Sequence, residues 1–83
     1  MSAVELNRPT TSQVALIESL TKRELVVLLR LSEDVTLEVM AAELWVSRNT
    51  VKSQVRSLYR KLGVSTRAAA VAWAEDAGLR KLH

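Results

Sequence analysis

Between Glu43 and Glu75 the chain carries no acid, and six bases follow one another there: Arg48, Lys52, Arg56, Arg60, Lys61 and Arg67. Asn49, Thr50, Ser53, Gln54 and Ser57 are interleaved with them. This set is poorly suited to making or breaking bonds. There is no cysteine, and the one histidine, His83, is the last residue. Thiolate and imidazole, the usual nucleophile and general base, are therefore missing from the interior of the chain. Nothing resembles a glycine-rich phosphate loop or a set of metal ligands. An enzyme is not expected, nor a metal, a cofactor or a small-molecule site. Cations and short amides at this density suit a polyanion. Ammonium and guanidinium groups neutralise phosphates, and Arg, Lys, Asn and Ser hydrogen-bond to base edges. The formal net charge of +3 agrees, but the clustering says more than the sum.

These groups act together only if one element holds them on one side. Ser47 is a good helix cap, and neither Gly nor Pro interrupts the chain until Gly63, which predicts a helix over 48–62. Advancing about 100° per residue from Arg48, Val51, Val55, Leu58 and Leu62 fall on one narrow stripe, the buried face. Asn49, Ser53, Arg56, Ser57 and Arg60 lie opposite. Arg48 and Lys52 flank them on one edge, and Thr50, Gln54 and Lys61 on the other. An ordinary surface helix mixes charge signs and gains i,i+4 pairs. This one accepts repulsion among Lys52, Arg56 and Arg60, which makes sense if phosphate supplies the anions.

The remaining elements must position that helix. Leu20-Thr21-Lys22-Arg23-Glu24-Leu25 combines a capping box (Thr21, Glu24) with a hydrophobic staple (Leu20, Leu25). A first helix over 22–31 follows, with Val27, Leu28 and Leu31 inward. Glu24 is expected to pair with a base of the 48–62 helix, such as Lys52. Thr36 caps a second helix over 37–44, with Met40, Ala41 and Leu44 inward. Two roles are open to Trp45, in the tight connection: covering the edge of the core, the more ordinary one, or lying against a sugar-phosphate backbone. After Gly63, Ser65 is expected to cap a fourth helix over 66–77, ended by Gly78. Every period is helical and no run alternates as a strand would. The class is therefore all-α, and a short helix, a tight turn and a basic helix form a helix-turn-helix.

Residues 1–19 read as a leader or linker with room for one short helical turn over 13–19. Residues 20–79 form the domain, and 80–83 a tail holding His83. No apolar run approaches the roughly 20 residues that span a bilayer. Glu5, Asn7, Arg8 and Pro9 interrupt any signal-peptide pattern. A cytoplasmic protein without a membrane partner is expected.

Residues 20–79 resemble the LuxR-type (GerE-like) DNA-binding domain of bacterial transcription regulators. The resemblance rests on Leu20-Thr21-x-Arg23-Glu24, Val27-Leu28, Ala41-x-x-Leu44 and Val46-Ser47-x-x-Thr50-Val51-Lys52. It continues through Lys61-Leu62-Gly63-Val64-x-x-Arg67, Ala70-Val71-x-x-Ala74 and Gly78-Leu79. It implies four helices, the third reading the major groove of double-stranded DNA and the fourth making dimer contacts. By position, Lys52, Ser53 and Arg56 would meet base edges, and Arg48, Asn49, Thr50 and Lys61 would hold phosphates. The amide of Asn49 suits adenine, which sets it among the base readers as well, and Arg60 joins the phosphate contacts. Glu38 stands where the family often has a phosphate-touching base. On the fourth helix Ala70, Val71 and Ala74 face inward. Ala69, Ala72, Trp73 and Asp76 then face outward, an apolar patch suited to a weak homodimer.

Two other readings compete. Region 4 of a bacterial sigma factor shares Leu-Thr-x-Arg-Glu and Thr-Val-Lys-Ser, but it lacks the fourth helix that Lys61-Leu62-Gly63-Val64 and Ala70-Val71-x-x-Ala74 mark here. A protein-interaction module that has lost DNA binding would account for Asp34, Glu38 and an exposed Trp73.

Overall fold

Every helix among the described residues, 10–79 of the computed structural model, begins on a hydroxyl. Thr10 caps α1 (Thr11–Ser19), Thr21 caps α2 (Lys22–Leu31), and Thr36 caps α3 (Leu37–Leu44). Ser47 caps α4 (Arg48–Leu62) and Thr66 caps α5 (Arg67–Asp76). In each case the side-chain oxygen accepts the backbone N–H three residues on, which satisfies one of the donors a helix start leaves unpaired. The expected bounds of α2, α3 and α4 are those observed. At α5 the cap is Thr66, not Ser65, and its hydroxyl accepts from the Ala69 N–H at 3.1 Å.

The leader holds more structure than the expected single turn. Thr10 and Gln13 form a capping box, with the Thr10 N–H donating to the Gln13 amide at 2.8 Å. That box opens the nine residues of α1. The signal was in the sequence, since Thr10-x-x-Gln13 has the spacing of such a box. Residues 1–9 of the leader, and the tail at 80–83 with His83, lie outside the described residues.

The core is built by α2 to α5. Val27, Leu28 and Leu31 of α2 meet Met40 and Ala41 of α3, Val51, Val55, Leu58 and Leu62 of α4, and Ala70 and Ala74 of α5. Four apolar side chains at i, i+4, i+7 and i+11 place α4 centrally, packed against α2, α3 and α5. No residue of α1 is buried. Leu16 rests half-buried on the core, and the Gln13 amide donates to Asp76 of α5 at 2.9 Å.

Helices α3, α4 and α5 close in the same way. A residue just beyond each helix, the second after α3 and α4 and the third after α5, donates back to the carbonyl five residues earlier: Val46 to Ala41, Val64 to Tyr59, and Leu79 to Ala74. This arrangement needs a left-handed residue at the turn. Gly63 (φ 72) and Gly78 (φ 75) supply it after α4 and α5, and Trp45 (φ 59) supplies it after α3. A residue with a Cβ in this region costs about 1–2 kcal/mol. That backbone reversal carries the indole away from the core, so Trp45 is 93% exposed. The core-cover role is thereby removed.

Candidate nucleic-acid interface

The central position of α4 settles which of its side chains are free. Its apolar stripe holds the helix down, so the opposite face is turned to solvent. Asn49, Lys52, Ser53, Arg56 and Arg60 are all exposed on it. Among the described residues, no carboxylate pairs with Lys52, Arg56 or Arg60. Thr50 is half-buried at the first turn, with its hydroxyl 3.0 Å from that of Ser47. Arg48 stands at the edge, 4.0 Å from the Glu38 carboxylate of α3. Both side chains are well exposed, so this pair is worth little in stability. Its effect is to offset positive charge at the start of α4.

Two polar side chains expected on or beside this face, Lys61 and Ser57, turn inward, and so does Arg67 of α5. The Lys61 ammonium donates to the Glu24 carboxylate at 2.7 Å and to the Ser19 carbonyl at 3.1 Å. It thus ties α4 to α2 and to the last residue of α1. Ser57, expected on the outer face, is half-buried and donates to the other Glu24 oxygen at 2.6 Å. The Thr21 N–H completes the set at 2.9 Å. Glu24 therefore pairs with Lys61, not Lys52: it lies further along α4, opposite the more C-terminal turns of that helix. Arg67 also turns inward, donating to the Leu31 carbonyl at 3.1 Å and the Glu33 carbonyl at 2.8 Å. It satisfies carbonyls at the end of α2, where a cation also complements the helix dipole.

Glu24 is 3% exposed. Burial pushes its carboxyl upward, but hydrogen bonds from Lys61, Ser57 and the Thr21 backbone outweigh this, and the Lys61 charge adds to them. The net pKa is about 2, against 4.5 for the ordinary group. Sequence reasoning placed Glu24 as a cap and as the partner of a base on α4, but did not place it in the core. Its burial was legible, because Glu24, Val27, Leu28 and Leu31 share one face at i, i+3, i+4 and i+7. A parallel clamp joins α2 to α3, where Arg30 donates to Glu33 at 2.6 Å and also to Glu43.

On α5, Ala72 and Asp76 are exposed, while Ala69 and Trp73 are half-buried. Trp73 packs against the core, and Asp76 accepts from Gln13. The expected patch is therefore less exposed than the helical wheel alone implies. Among the described residues no cluster of His, Cys, Asp and Glu could hold a metal ion, and no helix is long and apolar enough to cross a membrane.

Comparison with known proteins points the same way as the geometry. Residues 18–74 match the family model described as bacterial regulatory proteins, luxR family. The chain is 53% identical over 53 residues to a Mycobacterium tuberculosis protein named "Probable transcriptional regulatory protein NarL". That match covers 64% of this chain and 24% of the relative. It is 52% identical over 56 residues to "Probable transcriptional regulatory protein SgaR" of Hyphomicrobium methylovorum, covering 68% of this chain and 26% of the relative. The matched segment thus spans about a quarter of the length of these relatives. No solved structure matches the chain.

Proposed function

The chain belongs to the luxR family of bacterial regulatory proteins and carries its helix-turn-helix DNA-binding domain, and on that premise we propose that α4 lies in the major groove of duplex DNA and reads its sequence for a transcription regulator. The observation that carries this is the solvent face of α4, where Lys52, Arg56 and Arg60 stand exposed without a carboxylate partner among the described residues, on a helix that has no acid. Lys52, Ser53, Arg56 and Asn49 meet base edges, and Arg48, Thr50 and Arg60 hold phosphates. Lys61 reaches a phosphate only by giving up Glu24. The domain works as a binding module in the cytoplasm and performs no reaction of its own.

Substitution separates the two kinds of contact. Arg56→Ala is expected to cost roughly 1–3 kcal/mol on a preferred site and to relax preference at one base pair. Arg60→Ala weakens binding to all duplexes alike and flattens the logarithmic salt slope by about one. Lys61→Ala is a poor phosphate probe, because it also unseats Glu24. Selection from a random duplex library followed by salt titration of both variants is the measurement. Identical behaviour of the two on preferred and random DNA would show that the reading face is misassigned.

We also propose a weak homodimer through Ala69, Ala72, Trp73 and Asp76, consolidated by two half-sites on DNA. The small residues around Trp73 allow two α5 helices to approach about a two-fold axis. Asp76 must then share or release its bond to Gln13. In sedimentation with a palindromic duplex, wild type is expected to bind as two cooperating copies. Trp73→Ala, checked for folding by its melting profile, should bind each half-site independently. Unchanged cooperativity in a folded Trp73→Ala protein refutes the interface.

A further inference from the structure

Three helices of this domain end in the same hydrogen-bonded turn, each needing a left-handed residue. Two use glycine, the residue that adopts this backbone at no steric cost, and the third uses tryptophan. Nothing among the described residues explains the choice. The Trp45 side chain is 93% exposed and belongs to neither the core nor the half-buried shell around it. The fold thus accepts backbone strain at Trp45 and leaves its indole in water. A strained residue that presents a large aromatic surface marks a contact made outside the chain.

The position of Trp45 identifies the contact. It lies two residues before Ser47, the cap of α4, and Arg48 and Asn49 open the exposed face of that helix. When a helix of this kind enters the major groove by its N-terminal end, the helix before it crosses the DNA backbone, and Trp45 is the residue that closes that preceding helix. On this edge Coulomb attraction is reduced, because Glu38 sits 4.0 Å from Arg48. An uncharged contact is therefore useful there. The indole has both parts that such a contact needs: a flat apolar face for deoxyribose and an N–H donor for a phosphate oxygen.

We propose that Trp45 is a DNA-backbone contact, seated on the sugar-phosphate chain beside the groove that α4 enters, and that it positions the start of α4 without adding charge. This rests on the reading that α4 binds duplex DNA. Trp45→Gly separates the proposal from any effect on folding, since glycine is the residue that the sister turns already use. The variant is expected to melt no lower than wild type. Its affinity for duplex DNA should fall about five- to tenfold, the scale of one hydrogen bond with its apolar contact. Its salt slope should match that of wild type, because no cation has been removed. In wild type, iodide should quench one strongly exposed tryptophan, and duplex DNA should protect it. In Trp45→Gly that protected component should be absent.

If wild type fails to bind duplex DNA at low salt, the reading of α4 falls, and this proposal with it. If wild type binds but its exposed tryptophan remains as quenchable as before, and Trp45→Gly binds equally tightly, the proposal alone is overturned. That second result would assign the indole to a protein partner.

Discussion

Replacing Leu58 with alanine is expected to destabilise the domain by about 2–5 kcal/mol, the cost of lost burial plus the cavity left behind. Leu58 is 0% exposed at the middle of α4, the helix that packs against three others. Few neighbours can collapse into the space, because the α5 side of the core is alanine, Ala70 and Ala74. The loss is a large fraction of the stability of a native domain, about 5–15 kcal/mol. Urea unfolding should therefore show a much lower midpoint, and DNA binding should vanish together with helicity rather than separately. By contrast, substitutions at the exposed Ser53 or Arg56 should leave the midpoint nearly unchanged. A Leu58→Ala protein with wild-type stability would mean that α4 presents a different face to the core.

The second large effect is expected in acid. Glu24 ionises at about 2 in the folded protein, and an ordinary carboxyl does so at 4.5. Its folded-state value is depressed, so its contribution is fully present above pH 4.5. That contribution fades as pH falls from 4.5 towards 2, because the unfolded chain takes up the proton first. The amount at stake is roughly 2–3 kcal/mol. Wild type should lose that much across this window in urea titrations at successive pH values. Glu24→Gln should be less stable than wild type at pH 7, and its stability should change less between pH 5 and pH 2. It removes the charge but keeps a side chain that can still cap α2. Parallel pH profiles for the two proteins would show that the Lys61–Glu24–Ser57 network does not carry this stability. The same network explains why α1, with no buried residue of its own, has its last carbonyl held by Lys61.

What could be read from the sequence was whatever is encoded within one or two helical turns. Thr21, Thr36 and Ser47 announce helix starts, because a cap acts over three residues. Gly63 and Gly78 announce ends, because a left-handed turn is a local requirement. Val51, Val55, Leu58 and Leu62 mark the buried face of α4, because the helical period alone sets their direction. Together these determined the all-α class, the order of the four domain helices and the basic outer face of α4. The one helix underestimated, α1, also had a local signal in Thr10 and Gln13.

The tertiary structure decided where long or ambivalent side chains go. Lys61 reaches a carboxylate 37 positions away, Ser57 one 33 positions away, and Arg67 a carbonyl 36 positions away. Helical periodicity placed Ser57 on the outer face of α4 and Lys61 at its edge, and Arg67 entered only as part of the basic run. Periodicity could not say which neighbour each would meet, because the neighbour arrives only when α2 packs against α4 and α5. Trp45 shows the same limit from the other side. Its size argued for burial, and the backbone reversal after α3 turned it out. The sequence determined that this chain presents a cationic helix on a small helical core. Packing determined which cations remain free for a partner, because α2 takes Lys61 and Arg67 for its own carboxylate and carbonyls and leaves Lys52, Arg56 and Arg60 in solvent.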